Sequence, residues 1–290
     1  MTALTPALHA PIPVTITLTT PLHHGAGNSG NTALLRSETV IQPDGTQAQV
    51  PFVSANSVRH GLRNALAWHL ATTLDLPDGS LSKPVVDLLW SGGAVTSTGA
   101  QTNLELPRKI EAVLPMLGLL GYAAQSDIIS GTLRVDPLIL VCRENAWRLP
   151  PTAAALPHAG KGAAAYRGEE FGTRHDVSGT PVDRYLDIAA DLTGTTQMIY
   201  DLQVLKAGAV LSGGFGLTPA ATSTHRRVLE AALALWAPGG RVHLAAKNAV
   251  GFGQGSITGL PDTSDSLTWW TSHLVENADD VRALLSEIAG

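Results

Sequence analysis

The residues best suited to bind an anion lie at the start of a predicted helix that spans residues 54 to 73. Ser54 suits the N-cap position, and apolar residues recur behind it every three or four positions. A helix N-terminus presents free N–H groups and a partial positive charge, which together bind phosphate. The side chains that can add hydrogen bonds or charge there are Ser54, Asn56, Ser57, Arg59 and Arg63. The segment predicts a phosphate site, and the alternative is an ordinary capped helix with a solvated arginine face.

A second candidate is a glycine-rich loop, in which Gly251, Gly253 and Gly255 follow Lys247 and Asn248. Glycines let backbone N–H groups approach a phosphate closely, and the lysine adds attraction. No Gly-Lys-Ser/Thr follows and no helix is predicted to open there, so neither a Walker loop nor a dinucleotide fingerprint is indicated. The alternative is a tight connection between two strands.

Histidines offer a third kind of chemistry, because His23 and His24 are adjacent at the end of a predicted strand. Acid–base catalysis would need a second acid or base and a stabilising group, and the neighbouring sequence does not supply them. No H-x-x-x-H or H-E-x-x-H pattern for zinc occurs in the chain. We therefore expect no metal, no cofactor and no catalytic residue.

Residues 143–195 form a long, loop-rich stretch in which basic side chains are mixed with acidic ones. Long insertions in a compact domain are often functional. The stretch predicts a binding arm, and the alternative is a plain solvated loop. Its basic side chains are Lys161, Arg167, Arg174, His175 and Arg184.

Composition favours a folded chain and sets a condition on nucleic-acid binding. Hydrophobic residues make up 44% of the 290 residues and charged residues 15%, which excludes a disordered chain. The net charge of −5 opposes binding to phosphate. Distant charges are screened within about 10 Å at ordinary salt, however, so a local basic track would be enough.

Cysteine usage and hydropathy indicate a cytoplasmic protein. Cys142 is the only cysteine, so neither a disulfide framework nor a cysteine zinc site is expected. The first residues lack the basic and apolar regions of a signal peptide. The most apolar stretch, 112–124, is interrupted by Pro115 and is shorter than the roughly 20 residues of a membrane span.

Periodicity predicts an α+β fold in which long insertions separate a short series of core elements. The predicted order is βαββαβ, that of a modified ferredoxin-like, RRM-like palm. Residues 1–260 would form one domain with insertions at 75–130 (an accessory lobe) and 143–195 (a thumb), and 261–290 a helical tail. The predicted core elements are strand 14–20, helix 54–73, strand 131–141, strand 197–205, helix 223–236 and strand 241–247.

Four segments, in this order, resemble the RAMP superfamily of CRISPR proteins. The chain looks most similar to the Cas-seven-like backbone subunits, and among them to the type IV backbone protein, over roughly residues 14 to 260. The resemblance implies a palm and thumb, copies stacked head to tail as a filament along guide RNA (crRNA), other effector subunits and a complementary target nucleic acid. The segments are TLTTPLHHGAG, VPFVSANSVRHGLRNAL, QMIYDLQVLKAGAVLSGGFGL and NAVGFGQGSI.

The resemblance also implies which residues contact the guide RNA, and it places the thumb within 155–195. If Arg59 and Arg63 each contact a phosphate, replacing both should lower the salt slope of binding by about 2. The implied RNA-binding residues are Arg36, Ser54, Asn56, Ser57, Arg59, Arg63, Arg174, His175, Lys247, Asn248, Gly251, Phe252 and Gln254.

One departure from the related subunits bears on activity. Type III backbone subunits cleave target RNA with an aspartate in the loop after the first strand, whereas the only Asp between Pro21 and Gly45 here is Asp44, in a hairpin turn. We therefore expect no target cleavage and no enzyme. Two alternatives stay open: a guide-processing endoribonuclease of the same superfamily using His23, His24 or His60, and a structural protein without nucleic acid.

Overall fold

The structure is a computed structural model that describes residues 8–93, 105–124, 127–174 and 198–289. Its strands are β1 (Ile12–Leu18), β2 (Gly25–Ser29), β3 (Thr32–Leu35), β4 (Ser37–Ile41), β5 (Gln47–Val53), β6 (Tyr122–Ala124), β7 (Asp127–Ile129), β8 (Leu133–Val135), β9 (Leu138–Leu140), β10 (Arg167–Arg174), β11 (Met198–Leu205), β12 (Val210–Leu217), β13 (Arg241–His243) and β14 (Gln254–Thr258). Its α-helices are α1 (Ala55–Thr73), α2 (Lys83–Val86), α3 (Glu105–Val113), α4 (Pro115–Leu120), α5 (Pro151–Ala154), α6 (Ser223–Trp236), α7 (Ser264–Glu276) and α8 (Ala278–Ala289). The mixture of helix and sheet confirms the α+β class.

The main sheet is organised around β1, whose alternate residues Ile12, Val14, Ile16 and Leu18 are buried. Its strand order is β13-β14-β1-β12-β9-β5-β4, and β8 also pairs with β12. β1 is antiparallel to both of its neighbours, β12 and β14. Because β1 is hydrogen-bonded to a strand on each side, the point at which the chain leaves the end of β1 is fixed by both neighbours.

Helices α1 and α6 contribute the largest helical share of the main core. In α1 the buried residues include Val58, Leu62, Leu66 and Leu70, the spacing that predicted the helix. Ser54 is its N-cap, as expected, and its hydroxyl accepts a hydrogen bond from the Ser57 N–H. The helix predicted at 223–236 is confirmed as α6. These two helices pack against each other.

The strands predicted at 197–205 and 241–247 are present as β11 and the shorter β13, but neither lies beside β1 as predicted. β11 belongs to a second sheet, of order β10-β11-β3-β2, and the partner of β1 is β12. β12 was missed because its glycines weaken the strand pattern; a Cβ at Gly213 would lie 2.7 Å from Leu138 Cδ2. The last predicted strand ends at His243 and lies at the sheet edge, so β14 takes the place beside β1.

The predicted insertion at 143–195 divides into two different structures. Residues 143–166 form short helical turns that pack on the body, with Asn145 and Ala153 fully or almost fully buried. The arm begins only at Arg167, where β10 pairs with β11 in an antiparallel ladder from Arg167–Leu205 to Arg174–Met198. The strand ladder therefore starts later than the range 155–195 predicted for a thumb, and residues 175–197 lie outside the described residues.

The predicted helical tail is helical but is not a separate unit. Trp270 and Leu274 of α7 and Val281 and Leu284 of α8 are fully buried in the main hydrophobic core. α7 packs along α6, and α8 contacts α2 and α3 in the region predicted as an accessory lobe. Among the described helices, none is both long and apolar enough to cross a bilayer.

Candidate nucleic-acid interface

Three segments that are distant in sequence converge where β1 leaves the sheet. The Gly253 N–H donates to the Pro21 carbonyl at 2.7 Å, which joins the glycine loop to the exit of β1. The Ala246 N–H donates to the His23 carbonyl at 3.2 Å. On the other side, His24 Nε2 lies 3.3 Å from the Ser54 hydroxyl at the start of α1. The segment 21–24 therefore bridges the two regions that sequence analysis singled out.

The cap of α1 is already occupied by contacts within the protein. Ser54 Oγ accepts from the Ser57 N–H at 3.3 Å, and the Ser54 N–H donates to His24 Nε2 at 3.3 Å. The Asn56 side chain, in contrast, is exposed, and Ser57 is half-buried. The helix start thus offers Asn56 to a partner, while Ser54 mainly holds the loop that carries His24.

His24 is neutral over the physiological range because its surroundings disfavour the charged imidazole. Burial, reinforced by the positive charges of Arg36 and His23, lowers the pKa of His24 to about 4. Its ring also meets Phe52 edge to face, with centroids 6.4 Å apart. As the acceptor for the Ser54 N–H, this imidazole stabilises the start of the helix.

His23 is buried, with 5% of its surface exposed, and its Nδ1 lies 2.8 Å from the Gln203 carbonyl. His23 and His24, two of the three histidines named for the ribonuclease alternative, are therefore engaged in internal contacts, whereas His60 is exposed. In the described part of the chain, no group of three or more His, Cys, Asp or Glu side chains could hold a metal ion.

The glycine loop is held in one shape by its own hydrogen bonds. The Phe252 N–H donates to the Lys247 carbonyl at 3.2 Å, and the Gln254 N–H donates to Thr20 Oγ1 at 3.0 Å. With its amide nitrogen facing the carbonyls of Leu244 and Phe252, the Asn248 side chain donates to them at 3.1 and 3.0 Å. Gly251, at φ 88°, allows the turn. These bonds present a rigid loop on the surface.

Two exposed cations border the convergence of the three segments. Lys247 Nζ lies 5.2 Å from the ring centroid of Tyr200, a cation–π contact with β11. Arg36, between β3 and β4, donates from Nε to the Gly25 carbonyl at 3.2 Å and keeps an exposed side chain. Sequence reasoning missed Tyr200, which only the pairing of β11 with β3 brings to this surface.

Arg59 and Arg63, two of the predicted RNA-binding residues, both direct their guanidinium groups to carbonyls within the protein. Arg59 donates to the carbonyls of Leu133 and Leu120 at 2.6 and 2.7 Å. Arg63 is 8% exposed and donates to the carbonyls of Leu120 and Gly121 at 3.1 and 2.6 Å. Burial, together with the charge of Arg59, lowers the pKa of Arg63 to about 10. The two arginines tie α1 to the end of α4 and do not face solvent as a pair of phosphate ligands would.

The two remaining predicted residues are Arg174 and His175. Arg174 is the last residue of β10, and its side chain lies outside the described residues, as does the whole of His175. Their predicted contact with RNA stays a prediction.

A polar cleft of about 390 Å³ opens beside the glycine loop, between α1 and the segment 243–248. Sequence analysis named Ser57, His60 and Asn248 but not Asn64, Trp236 or His243, since no local pattern links α1 to β13. The residues that give the cleft its character are Ser57, His60, Asn64, Trp236, His243 and Asn248.

We expect the Arg63→Ala substitution to reduce stability and leave the salt dependence of RNA binding unchanged. Removing the guanidinium leaves buried carbonyl oxygens without donors, at a cost of about 3 kcal/mol in the free energy of unfolding. Urea unfolding checks this, with exposed Arg241→Ala as the matched control, for which a change within about 0.5 kcal/mol is expected. A stable Arg63→Ala protein with a lower salt slope would restore the phosphate role.

Stability should fall as the pH drops from about 6.5 to about 4, in part because of His24. Its folded pKa of about 4 lies below the usual 6.5, so the unfolded chain binds the proton first in this window. The contribution of neutral His24 to the free energy of unfolding is complete above pH 6.5 and is lost as the pH falls towards 4. Urea unfolding at several pH values should show a shallower pH dependence for His24→Gln.

His69 also has a lowered pKa because it is partly buried, so acid destabilisation persists in the His24→Gln variant. The difference between wild type and variant isolates His24. Parallel curves for the two proteins would mean that His24 is protonated to the same extent in both states.

Comparison with known proteins adds evidence at the level of the fold. No protein-family model matches the sequence, and no curated protein does so either. A chain of the solved structure described as "Type IV-B CRISPR Complex" is similar to this one, with a TM-score of 0.53 and 21% sequence identity. The alignment covers 85% of this chain and 88% of that chain. The chain therefore shares the fold of a component of a type IV CRISPR complex.

Proposed function

We propose that this chain is a non-catalytic, guide-RNA-binding backbone subunit of a type IV-like CRISPR ribonucleoprotein complex. The observation that carries the proposal is the convergence of Pro21–His24, the start of α1 and the loop 247–254 on one surface. These are three of the four segments whose sequences resemble the RAMP superfamily. The shared fold with a type IV complex component supports the same assignment.

The palm of such a subunit would be the central part of the main sheet. The order β14-β1-β12-β9, with α1 following β1 and α6 following β12, has the connectivity of a ferredoxin-like domain. In that arrangement one face of the sheet carries the helices. We therefore propose a ferredoxin-like palm of the Cas-seven-like type, built from these strands and not from those the sequence predicted.

RNA would bind to the converged segments through a few charges and many hydrogen-bonding groups. Arg36 and Lys247 supply exposed positive charge, and Asn56 supplies an amide at the helix start. Tyr200 and Phe252 add aromatic faces on which bases can stack. Because the net charge is −5, the attraction to phosphate must be local.

A scaffold role fits the histidines better than guide processing does. His23 is buried against Gln203, and His24 accepts a backbone hydrogen bond as a neutral ring. A general base needs access to the proton it removes, and in each of these rings one nitrogen is held by a contact within the protein. We propose that both position the loop and that the chain has no catalytic role.

The β10–β11 arm is the proposed thumb, and Arg174 is the last residue of β10. An arm that leaves the body through a paired ladder can reach the neighbouring copy in a head-to-tail filament. Exposed Phe171 on β10, with 74% of its surface accessible, is an apolar group such a neighbour could cover. We propose this stacking as the basis of assembly along the guide.

Expression together with a CRISPR array tests the proposed function as a whole. We expect the purified protein to elute as a large assembly that contains RNA of discrete length, because each copy covers a fixed stretch of guide. Size-exclusion chromatography with light scattering, followed by sizing of the extracted RNA, makes the measurement. A monomer free of RNA would contradict the scaffold and favour a structural protein without nucleic acid.

Replacing Arg36 and Lys247 with alanine should weaken RNA binding in a salt-dependent way. Each lost phosphate contact on single-stranded RNA lowers the slope of log K against log salt by about 0.7, so the double variant should lose about 1.4. Fluorescence anisotropy with a labelled RNA at several salt concentrations gives the slope.

The matched control for these cations is Lys83→Ala, which replaces an exposed lysine at the start of α2 that is paired with Asp87. The control should keep the wild-type slope. If the double variant keeps it too, the converged segments are not the phosphate-binding surface.

A further inference from the structure

The ammonium group of Lys247 is held at the proposed RNA surface by an aromatic ring and not by a carboxylate. Its Nζ lies 5.2 Å from the ring centroid of Tyr200. Among the residues that the structure describes, no carboxylate pairs with it and no acceptor receives a hydrogen bond from it. A cation–π contact attracts the charge but leaves the three N–H donors free. The group is therefore held in place and is still open to a phosphate.

The backbone on both sides of this contact is fixed by hydrogen bonds. The carbonyl of Lys247 accepts from the Phe252 N–H at 3.2 Å. Next to Tyr200, the Asp201 carboxylate accepts from the Thr32 hydroxyl at 2.7 Å, which ties β11 to β3. The flexible part of the contact is then the lysine side chain itself. Lysine has many rotamers, and ordering it before RNA arrives reduces the entropy cost of a phosphate contact.

Tyr200 can lie in this position because the residue opposite it in the β10–β11 ladder is Gly172. A Cβ at Gly172 would lie 2.5 Å from the Tyr200 hydroxyl oxygen and 2.7 Å from its Cε2, distances that real Cβ atoms do not show. β10 is an edge strand, and an aromatic side chain often covers a glycine across from it on such a strand. A larger residue at position 172 would therefore displace the ring.

Gly168 is a matched position without this constraint. It lies on the same face of β10 as Gly172, opposite Val204. A Cβ there would lie 3.1 and 3.2 Å from Cγ and Cε of Lys206, a flexible side chain that can move away. Neither glycine has a left-handed backbone. Alanine at either position therefore tests only the space beside the strand.

We propose that Tyr200 and Gly172 are positioning residues for the phosphate contact of Lys247, with the ring holding the ammonium group at the surface before RNA binds. This inference rests on the proposed function, since the position of Lys247 matters only if it contacts a phosphate. The ring belongs to β11 and the ammonium group to the glycine loop. The same contact therefore couples the arm to the phosphate-binding surface.

The salt dependence of RNA binding distinguishes the positioning of a charge from stacking on a base. Tyr200→Leu changes no charge, yet we expect it to lower the slope of log K against log salt by about 0.7, as Lys247→Ala does, because the ammonium group is no longer held at the phosphate. The double variant should have the same slope as Lys247→Ala alone. Tyr200→Phe keeps the ring and should keep the wild-type slope. Fluorescence anisotropy with a labelled single-stranded RNA at several salt concentrations gives the slopes.

The two glycines provide a second, independent comparison. Gly172→Ala should also lower the slope by about 0.7, because the added methyl group displaces the ring. Gly168→Ala should keep the wild-type slope. Thermal unfolding shows whether each variant is folded, and Tyr200→Leu decides the matter if Gly172→Ala does not fold.

The outcomes separate this inference from the proposed function. A wild-type slope for Tyr200→Leu beside a lower slope for Lys247→Ala would overturn the positioning role and leave RNA binding at Lys247 intact. Wild-type slopes for both variants would remove Lys247 from the phosphate-binding surface and overturn the inference with it. A wild-type protein that binds no RNA would overturn both proposals.

Discussion

The hydrogen-bond pairing of β1 on both of its sides is the constraint on which the rest of the molecule depends. Between β12 and β14 this strand has no freedom to shift, so its exit at Pro21 is a fixed point. The carbonyl of Pro21 holds Gly253, and the hydroxyl of Thr20 holds Gln254. These hydrogen bonds fix the position of the glycine loop of the proposed RNA surface relative to the end of β1.

Local sequence patterns were sufficient to predict the two helices α1 and α6, whose spacing of apolar residues and N-caps can be identified within a short segment. α1 and its Ser54 cap followed from helical spacing and N-cap preference, and α6 followed from the same rules. The convergence of Ser54, Lys247 and Gln254 on one surface agreed with the resemblance but was not contained in any single pattern. It arises from bonds between residues up to 234 positions apart.

The features that local sequence patterns did not predict have a common physical reason, because each of them depends on tertiary packing between elements that are distant in sequence. β12 was missed because close packing against β9 and β1 requires small residues there, and glycine is a poor strand former. Arg59 and Arg63 looked like a solvated face because spacing reveals that two residues share a face, not what covers it. Here the carbonyls that end α4 cover it. The cleft of Asn64 and His243 likewise depends on packing between α1 and β13.

The left-handed backbone of Lys247, at φ 64°, has a consequence for how this chain can change. A non-glycine residue in that conformation destabilises the folded state by about 1 kcal/mol relative to glycine. Selection for stability alone would therefore replace this lysine, and the replacement would remove the cation that stands over Tyr200. At position 247 the stability of the fold and the proposed RNA binding are therefore opposed, so replacing Lys247 with glycine should stabilise the fold and weaken that binding.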